Sequence, residues 1–243
     1  MPNTRISLVI PAYNEEKYVG SCLDHAIRSS ASAGGFYEIV VVDNASKDKT
    51  SETAASRKGV RVVKEMQKGL TKARQRGLIE TKADILAYID ADTRMPQGWL
   101  ETVQREFERN PGLACLSGPY IYYDSPRWQQ FLVKYFYWYL LAMPSYFFTG
   151  YMVVGGNFAI RREVLEKMGG FDTTIAFYGE DTNIARRASA YGKVKFKPDF
   201  IMYSSARRLA SEGFFKIGWL YVTNFLSEAI RKKPTTDQYE DIR

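Results

Sequence analysis

Histidine and cysteine are nearly absent. The 243 residues hold one histidine, His25, and two cysteines, Cys22 and Cys115. Neither cysteine sits in a Cys-x-x-Cys pair, which excludes a zinc site or disulfide framework of the usual spacing. Both lie in apolar stretches and read as buried thiols of a reducing compartment. Two phosphate-binding signatures are also missing. No Gly-x-Gly-x-x-Gly follows the first predicted strand and no Gly-x-x-x-x-Gly-Lys-Ser/Thr occurs anywhere, so the usual dinucleotide-binding and P-loop chemistries are excluded. Residues Met1 to Arg5 lack the apolar core of a secretory signal, so the protein is expected in the cytoplasm. Nor is charge concentrated. Lys and Arg number 34 against 27 acids, a net +7. That excess favours anionic partners. It is scattered among acids, however, whereas a nucleic-acid reader gathers its charge on one module. No nucleic-acid partner is expected.

What is present begins with short apolar runs that stop at polar loops. Ile6 to Ile10, Glu38 to Val42, Val60 to Val63 and Ile85 to Ile89 read as strands, separated by helical stretches that include Leu70 to Thr81. Strand and helix alternating at this spacing predict an α/β fold, a mostly parallel sheet flanked by helices. The run Ile85–Ile89 ends abruptly at Asp90-Ala91-Asp92, and Glu38–Val42 ends at Asp43. Parallel topology puts both strand ends on one edge, where ligands of open α/β sheets bind. Two short carboxylates one residue apart suit a hard divalent cation; the alternative is an ordinary acidic turn. Downstream, a helix over Trp99 to Asn110, a strand over Leu113 to Ser117 and an irregular Tyr120 to Pro126 are predicted. Gly155-Gly156 can admit a close backbone approach to a ligand, or form a bulge.

The most unusual stretch is Trp128 to Val154. Trp128, Phe131, Leu132, Tyr135, Phe136, Tyr139, Leu140 and Met143 form an apolar helical stripe. Val133, Tyr137, Trp138 and Leu141 make the opposite face apolar too, so one buried face cannot account for the segment. From Tyr135 to Ile160 no residue is charged. Pro144 and Gly150 interrupt it, which favours an element lying at a membrane surface over one crossing it. A dimer interface is the other reading. A second aromatic helix, Phe214 to Ile230, ends in Arg231-Lys232-Lys233, a pattern suited to an anionic lipid surface.

Taken together, Val9-Ile10-Pro11-Ala12-Tyr13-Asn14-Glu15-Glu16, Val41-Val42-Asp43-Asn44-Ala45-Ser46-Lys47-Asp48 and Ala73-Arg74-Gln75-Arg76-Gly77 resemble the donor half of family 2 glycosyltransferases. Asp90-Ala91-Asp92, Gly155-Gly156-Asn157-Phe158-Ala159-Ile160-Arg161 and Gly179-Glu180-Asp181 continue the pattern in order. The resemblance implies a GT-A fold and inverting transfer from a nucleotide-diphosphate sugar with Mg2+ or Mn2+. It implies a donor-binding set of Pro11, Ala12, Tyr13, Glu15, Asp43, Arg74, Asp90, Ala91 and Asp92. Within that set Pro11, Tyr13 and Glu15 line the nucleoside pocket, Asp43 and Arg74 meet the base, Asp90 holds the ribose or the metal, and Asp92 holds the metal. Arg207 and Arg208 fall where relatives bind the diphosphate. Asp181 is the implied general base, with Glu180 next to it, and Gly155, Gly156 and Asn157 face the acceptor. Residues 1–118 then form the nucleotide-sugar half, 119–203 the acceptor half and 204–243 a C-terminal helix and basic tail. The sequence departs from some relatives in lacking a late histidine ligand and the Gln-x-x-Arg-Trp motif of processive synthases. Transfer of a single sugar is therefore expected. A lipid-linked or glycolipid acceptor, met by a peripheral protein on the inner face of the cell membrane, is the leading reading. A soluble glycan acceptor with the aromatic segment as a homodimer interface, and a non-catalytic sugar-nucleotide-binding protein, are the alternatives.

Overall fold

The computed structural model describes residues 4–175 and 179–207. The first half alternates as β1 (Ile6–Ala12), α1 (Val19–Ser30), β2 (Glu38–Asp43), α2 (Thr50–Ala55), β3 (Val60–Lys64), α3 (Leu70–Glu80) and β4 (Ile85–Ile89). Then come β5 (Thr93–Arg94), α4 (Trp99–Arg109), β6 (Leu113–Ser117), β7 (Tyr120–Tyr122) and α5 (Arg127–Phe131). A π-helical stretch, Leu132–Ala142, runs into α6 (Met143–Thr149), followed by β8 (Asn157–Arg161), α7 (Arg162–Lys167), α8 (Glu180–Ser189), β9 (Lys193–Phe196) and β10 (Met202–Ser204).

The main sheet has seven strands in the order β3-β2-β1-β4-β8-β6-β9. Its first four strands are parallel, β8 runs antiparallel to both neighbours, and β6 pairs with β9 in parallel. Every residue of β4 is buried, because helices cover both faces. Alternation along the strands sorts side chains into two cores. Leu8, Ile10, Ala87 and Ile89 pack with Leu23 of α1 and Leu100, Val103 and Phe107 of α4. Val9, Leu86 and Tyr88 pack on the other face with Leu78 of α3, Leu165 of α7 and Ile184 of α8.

A small second sheet, β5-β10-β7, is the main departure from expectation. Tyr120–Tyr122, read from sequence as irregular, is a strand because Met202–Ser204 arrives beside it in parallel. A three-residue strand has no signal of its own; its partner lies some eighty positions downstream in the chain. This sheet brings the segment after Ser204 back beside Asp92, since β10 also pairs with β5.

The aromatic stretch is one continuous helical arm whose middle turns are widened, with Met143 N–H bonding the Trp138 carbonyl five residues back. Val133, Trp138 and Ala142 face inward onto Met152, Val154 and Phe196. Trp128, Phe131, Tyr135, Phe136, Tyr139 and Leu140 are left exposed, as are Phe147 and Phe148, the latter 92% accessible. The inward face is therefore the one opposite the longer apolar stripe. Among the described residues no helix is long and apolar enough to cross a membrane. The predicted helix Phe214 to Ile230 and its basic end lie outside the described residues.

Candidate active site

The site is built on the carboxyl edge of β1, β2 and β4. Registers Ala12↔Asp43 and Val9↔Tyr88 bring the ends of these strands level. The loops after β1 and β2 are then zipped to each other. Asn14 takes a left-handed backbone, φ 51°, which asparagine tolerates better than most residues. Its side chain accepts the Lys47 N–H at 2.9 Å while its own N–H donates to Ser46 Oγ at 3.0 Å. Glu15 N–H donates to Thr50 Oγ1 at 2.7 Å, and Glu16 N–H to Asp48 Oδ2 at 3.1 Å. These bonds fix the loop carrying Pro11, Tyr13 and Glu15 against the loop after β2. Lys68 stands 3.9 Å above the Tyr13 ring, a contact that no motif signalled.

Asp43 is turned into its own loop. One carboxylate oxygen accepts the Ser46 N–H at 3.0 Å and the other the Ser51 hydroxyl, leaving the residue buried. These bonds are those of a loop-forming aspartate.

Arg74 differs still more from its expected position. Gly77, one turn further along α3, lets that helix sit directly on β1; a Cβ there would come 2.3 Å from Val9 Cγ1. Arg74 is thereby driven beneath the edge and is 1% exposed. Its guanidinium pairs with Glu180, donates to the Gly155 carbonyl at 2.6 Å and lies 3.9 Å from Asp90 Oδ1. From there it ties α3, α8, β4 and the glycine pair together. Burial, opposed by Arg74, pushes the Glu180 carboxyl up to about 7. Glu180 therefore faces Arg74 in the interior, and Asp181 is its neighbour at the start of α8.

The glycine pair is explained by the same neighbours. A Cβ on Gly155 would lie 2.4 Å from Glu180 Oε1, and one on Gly156 would strike the Tyr120 hydroxyl and Asp90. The close approach is to protein side chains. Asn157 is fully buried, with Oδ1 accepting from Trp99 Nε1 at 2.9 Å and Nδ2 donating to the Phe200 carbonyl at 2.7 Å. Expected at the acceptor, it is a core bracket instead. Ala12 and Ala91 are also buried, so their side chains serve the core.

Three acids line the open side. Asp90 accepts the Tyr120 hydroxyl at 2.9 Å, and burial together with that carboxylate keeps the phenol protonated far above its ordinary range. Asp92 is 11% exposed and holds Arg207 Nε at 2.9 Å. Arg207 also pairs with Glu15 and lies 4.7 Å over the Tyr18 ring. Asp181 accepts the Thr182 N–H at 2.8 Å, and burial raises its carboxyl above the usual range despite that bond. It lies within electrostatic range of Tyr137 on the aromatic arm. Arg208 lies outside the described residues.

Among the described residues no cluster of three or more His, Cys, Asp or Glu is ready to hold a metal. Two carboxylates at one strand end remain, one of them already bonded to a cationic side chain. That donor set fits Mg2+ or Mn2+, hard ions that take one or two carboxylates and complete their shell with phosphate and water.

The family model described as "Glycosyl transferase family 2" matches residues 7–169. The chain belongs to that family. As a family 2 member it is 37% identical over 97 residues to the undecaprenyl-phosphate 4-deoxy-4-formamido-L-arabinose transferase of Edwardsiella ictaluri, a match covering 37% of this chain and 30% of that protein. It is also 37% identical over 99 residues to the dolichol-phosphate mannosyltransferase of Pyrococcus furiosus, covering 38% of this chain and 27% of that one. The mannosyltransferase PcManGT of Pyrobaculum calidifontis, solved with GDP-Man and Mn2+, superposes with a TM-score of 0.69. That likeness spans 93% of this chain and 64% of the other at 23% identity, and establishes the shared GT-A fold. The matches thus reach about a third or less of the two curated relatives' lengths.

Proposed function

We propose that the family 2 fold here carries an inverting glycosyltransferase that moves one sugar from a nucleotide-diphosphate sugar to a lipid-linked acceptor at the inner face of the cell membrane. The observation carrying this reading is a carboxylate raised by burial, Asp181, which with Asp90 lies within electrostatic reach of Arg74 and is also within reach of Tyr137 on the aromatic arm. In the donor half, residues 1–118, Tyr13 and Glu15 would receive the nucleoside. Asp92, with Asp90, would hold Mg2+ or Mn2+, which when bound offsets the charge of the departing diphosphate. Asp181 accepts the proton of the acceptor hydroxyl as its oxygen bonds to the anomeric carbon. The bond from that carbon to the diphosphate breaks in the same step, and one displacement inverts the configuration.

The reading is tested by ligand-induced stabilisation. A panel of nucleotide sugars is added with Mn2+ or Mg2+, and the matching donor is expected to raise the melting temperature by about 5–10 °C at a hundredfold excess over its Kd. The gain should need the metal and vanish in Asp92→Asn. No response to any donor in the panel would sink the assignment.

The lipid-linked acceptor rests on the arm and on the two relatives whose names contain undecaprenyl phosphate and dolichol phosphate. Phe136, Tyr139 and Leu140 are exposed, and no residue from Tyr135 to Ile160 is charged. Each large apolar side chain buried is worth about 1.5–3 kcal/mol. Changing all three to serine should therefore lower partition onto phosphatidylglycerol-containing vesicles by roughly a hundredfold or more, with the fold intact. Flotation that is absent or unchanged, together with a concentration-dependent dimer in the parent protein, would favour the soluble-acceptor alternative.

A further inference from the structure

Arg207 sits where two assignments made above collide. Glu15 belongs to the nucleoside wall and Asp92 to the metal, yet one guanidinium engages both. The groups are well shielded: Glu15 is 1% exposed, Asp92 11% and Arg207 20%. Shielding from water strengthens such charge-assisted bonds. The Tyr18 ring backs the guanidinium at 4.7 Å, and the preceding residues are pinned, since Asp124 accepts both the Ser205 hydroxyl and the Ala206 N–H at 2.6 Å. The backbone before Arg207 is therefore held independently of the guanidinium's own bonds to Glu15 and Asp92. Arginine does not lose its proton in proteins, so deprotonation cannot relieve its competition with another cation for Asp92.

We infer that Arg207 is a built-in cation that occupies the place of the divalent ion on Asp92, so that metal loading is an exchange reaction in which the guanidinium leaves. The inference rests on the reading of Asp92 as the metal-binding carboxylate. Its consequence is that the metal-free cleft stays neutralised and compact, and that metal affinity is set partly by how firmly Glu15 retains Arg207.

Mn2+ binding to the full chain without nucleotide, followed by the loss of free-ion signal in electron paramagnetic resonance, tests this directly. Arg207→Gln is expected to tighten Mn2+ binding about tenfold, the scale of one lost charge-assisted bond. Arg207→Lys, which keeps a competing charge, should stay within about threefold of the parent. Removing a positive charge would tighten binding by simple attraction as well, so Glu15→Gln is the deciding variant. It removes a negative charge and by attraction alone must weaken Mn2+ binding, whereas loosening the grip on Arg207 must tighten it. Weaker binding in Glu15→Gln, or an Arg207→Gln affinity equal to the parent's, overturns the exchange while leaving Asp92 as the metal carboxylate. If no variant shows a Mn2+ site that Asp92→Asn abolishes, both the exchange and the underlying metal assignment fail.

Discussion

Asp181→Asn is expected to lower the rate of sugar transfer by roughly a hundred- to ten-thousandfold, the usual contribution of a positioned general base. The fold should survive. Asparagine retains the Oδ1 that accepts the Thr182 N–H. Donor binding, read as the metal-dependent melting shift, should be unchanged, because the loss concerns the proton and not the nucleotide. The pH profile supplies a second check. Burial raises the Asp181 carboxyl, and a base must be ionised to act. Activity should thus fall as pH drops through that raised value, giving an acid limb above the ordinary aspartate range. The residual activity of Asp181→Asn should lack that limb. Activity within threefold of the parent would remove Asp181 from the reaction.

Arg74→Met is expected to cost about 3–5 kcal/mol of stability, the penalty for stripping one partner from a buried ion pair. Against a typical total of about 5–15 kcal/mol this is a large fraction. Arg74 compensates Glu180, faces Asp90 and holds the Gly155 carbonyl, so three groups lose a partner together. The sign of the pH dependence follows from Glu180. Its carboxyl is raised by burial to about 7 with Arg74 present, and Arg74 is the group holding it down. Without the arginine it stays protonated in the folded state to higher pH, while the unfolded chain ionises near its ordinary value. Stability of the variant therefore keeps falling above pH 7, where that of the parent no longer changes through this group. Urea denaturation at pH 6 and pH 8.5 should show the gap widening, and adding Glu180→Gln should flatten it. A gap independent of pH would mean that Glu180 does not titrate against Arg74.

These two residues also mark where sequence reading succeeds and stops. The strand Ile85–Ile89 and its acidic end were legible because a strand covered on both faces must be apolar throughout, and the run breaks where the cover ends. Parallel order followed from the crossovers, and with it the meeting of Asp43 and Asp90 on one edge. Arg74 was legible as part of a motif, but its direction was not. Whether an arginine on α3 points across the cleft or under the sheet depends on how closely Gly77 seats the helix, a tertiary distance. Asn157 is similar: its three side-chain hydrogen bonds are to Trp99, Pro119 and Phe200, far away in the chain. Tyr120 was one tyrosine among several until β10 made its stretch a strand and aimed its hydroxyl at Asp90. In the aromatic arm both faces were visibly apolar, so sequence could show that one must stay uncovered but not which.

The arm is also wired to the acids. Trp138 Nε1 donates to the Tyr120 carbonyl at 2.8 Å, and the hydroxyl of that same tyrosine donates to Asp90. The arm returns to the sheet through Gly155 and Gly156 to enter β8, the strand beside β4. It is therefore tied to the surroundings of Asp90 at two points, the Tyr120 carbonyl and the Gly155-Gly156 turn that lies against that carboxylate. A load on its outer aromatics thus has a bonded route to Asp90, through Trp138 and Tyr120.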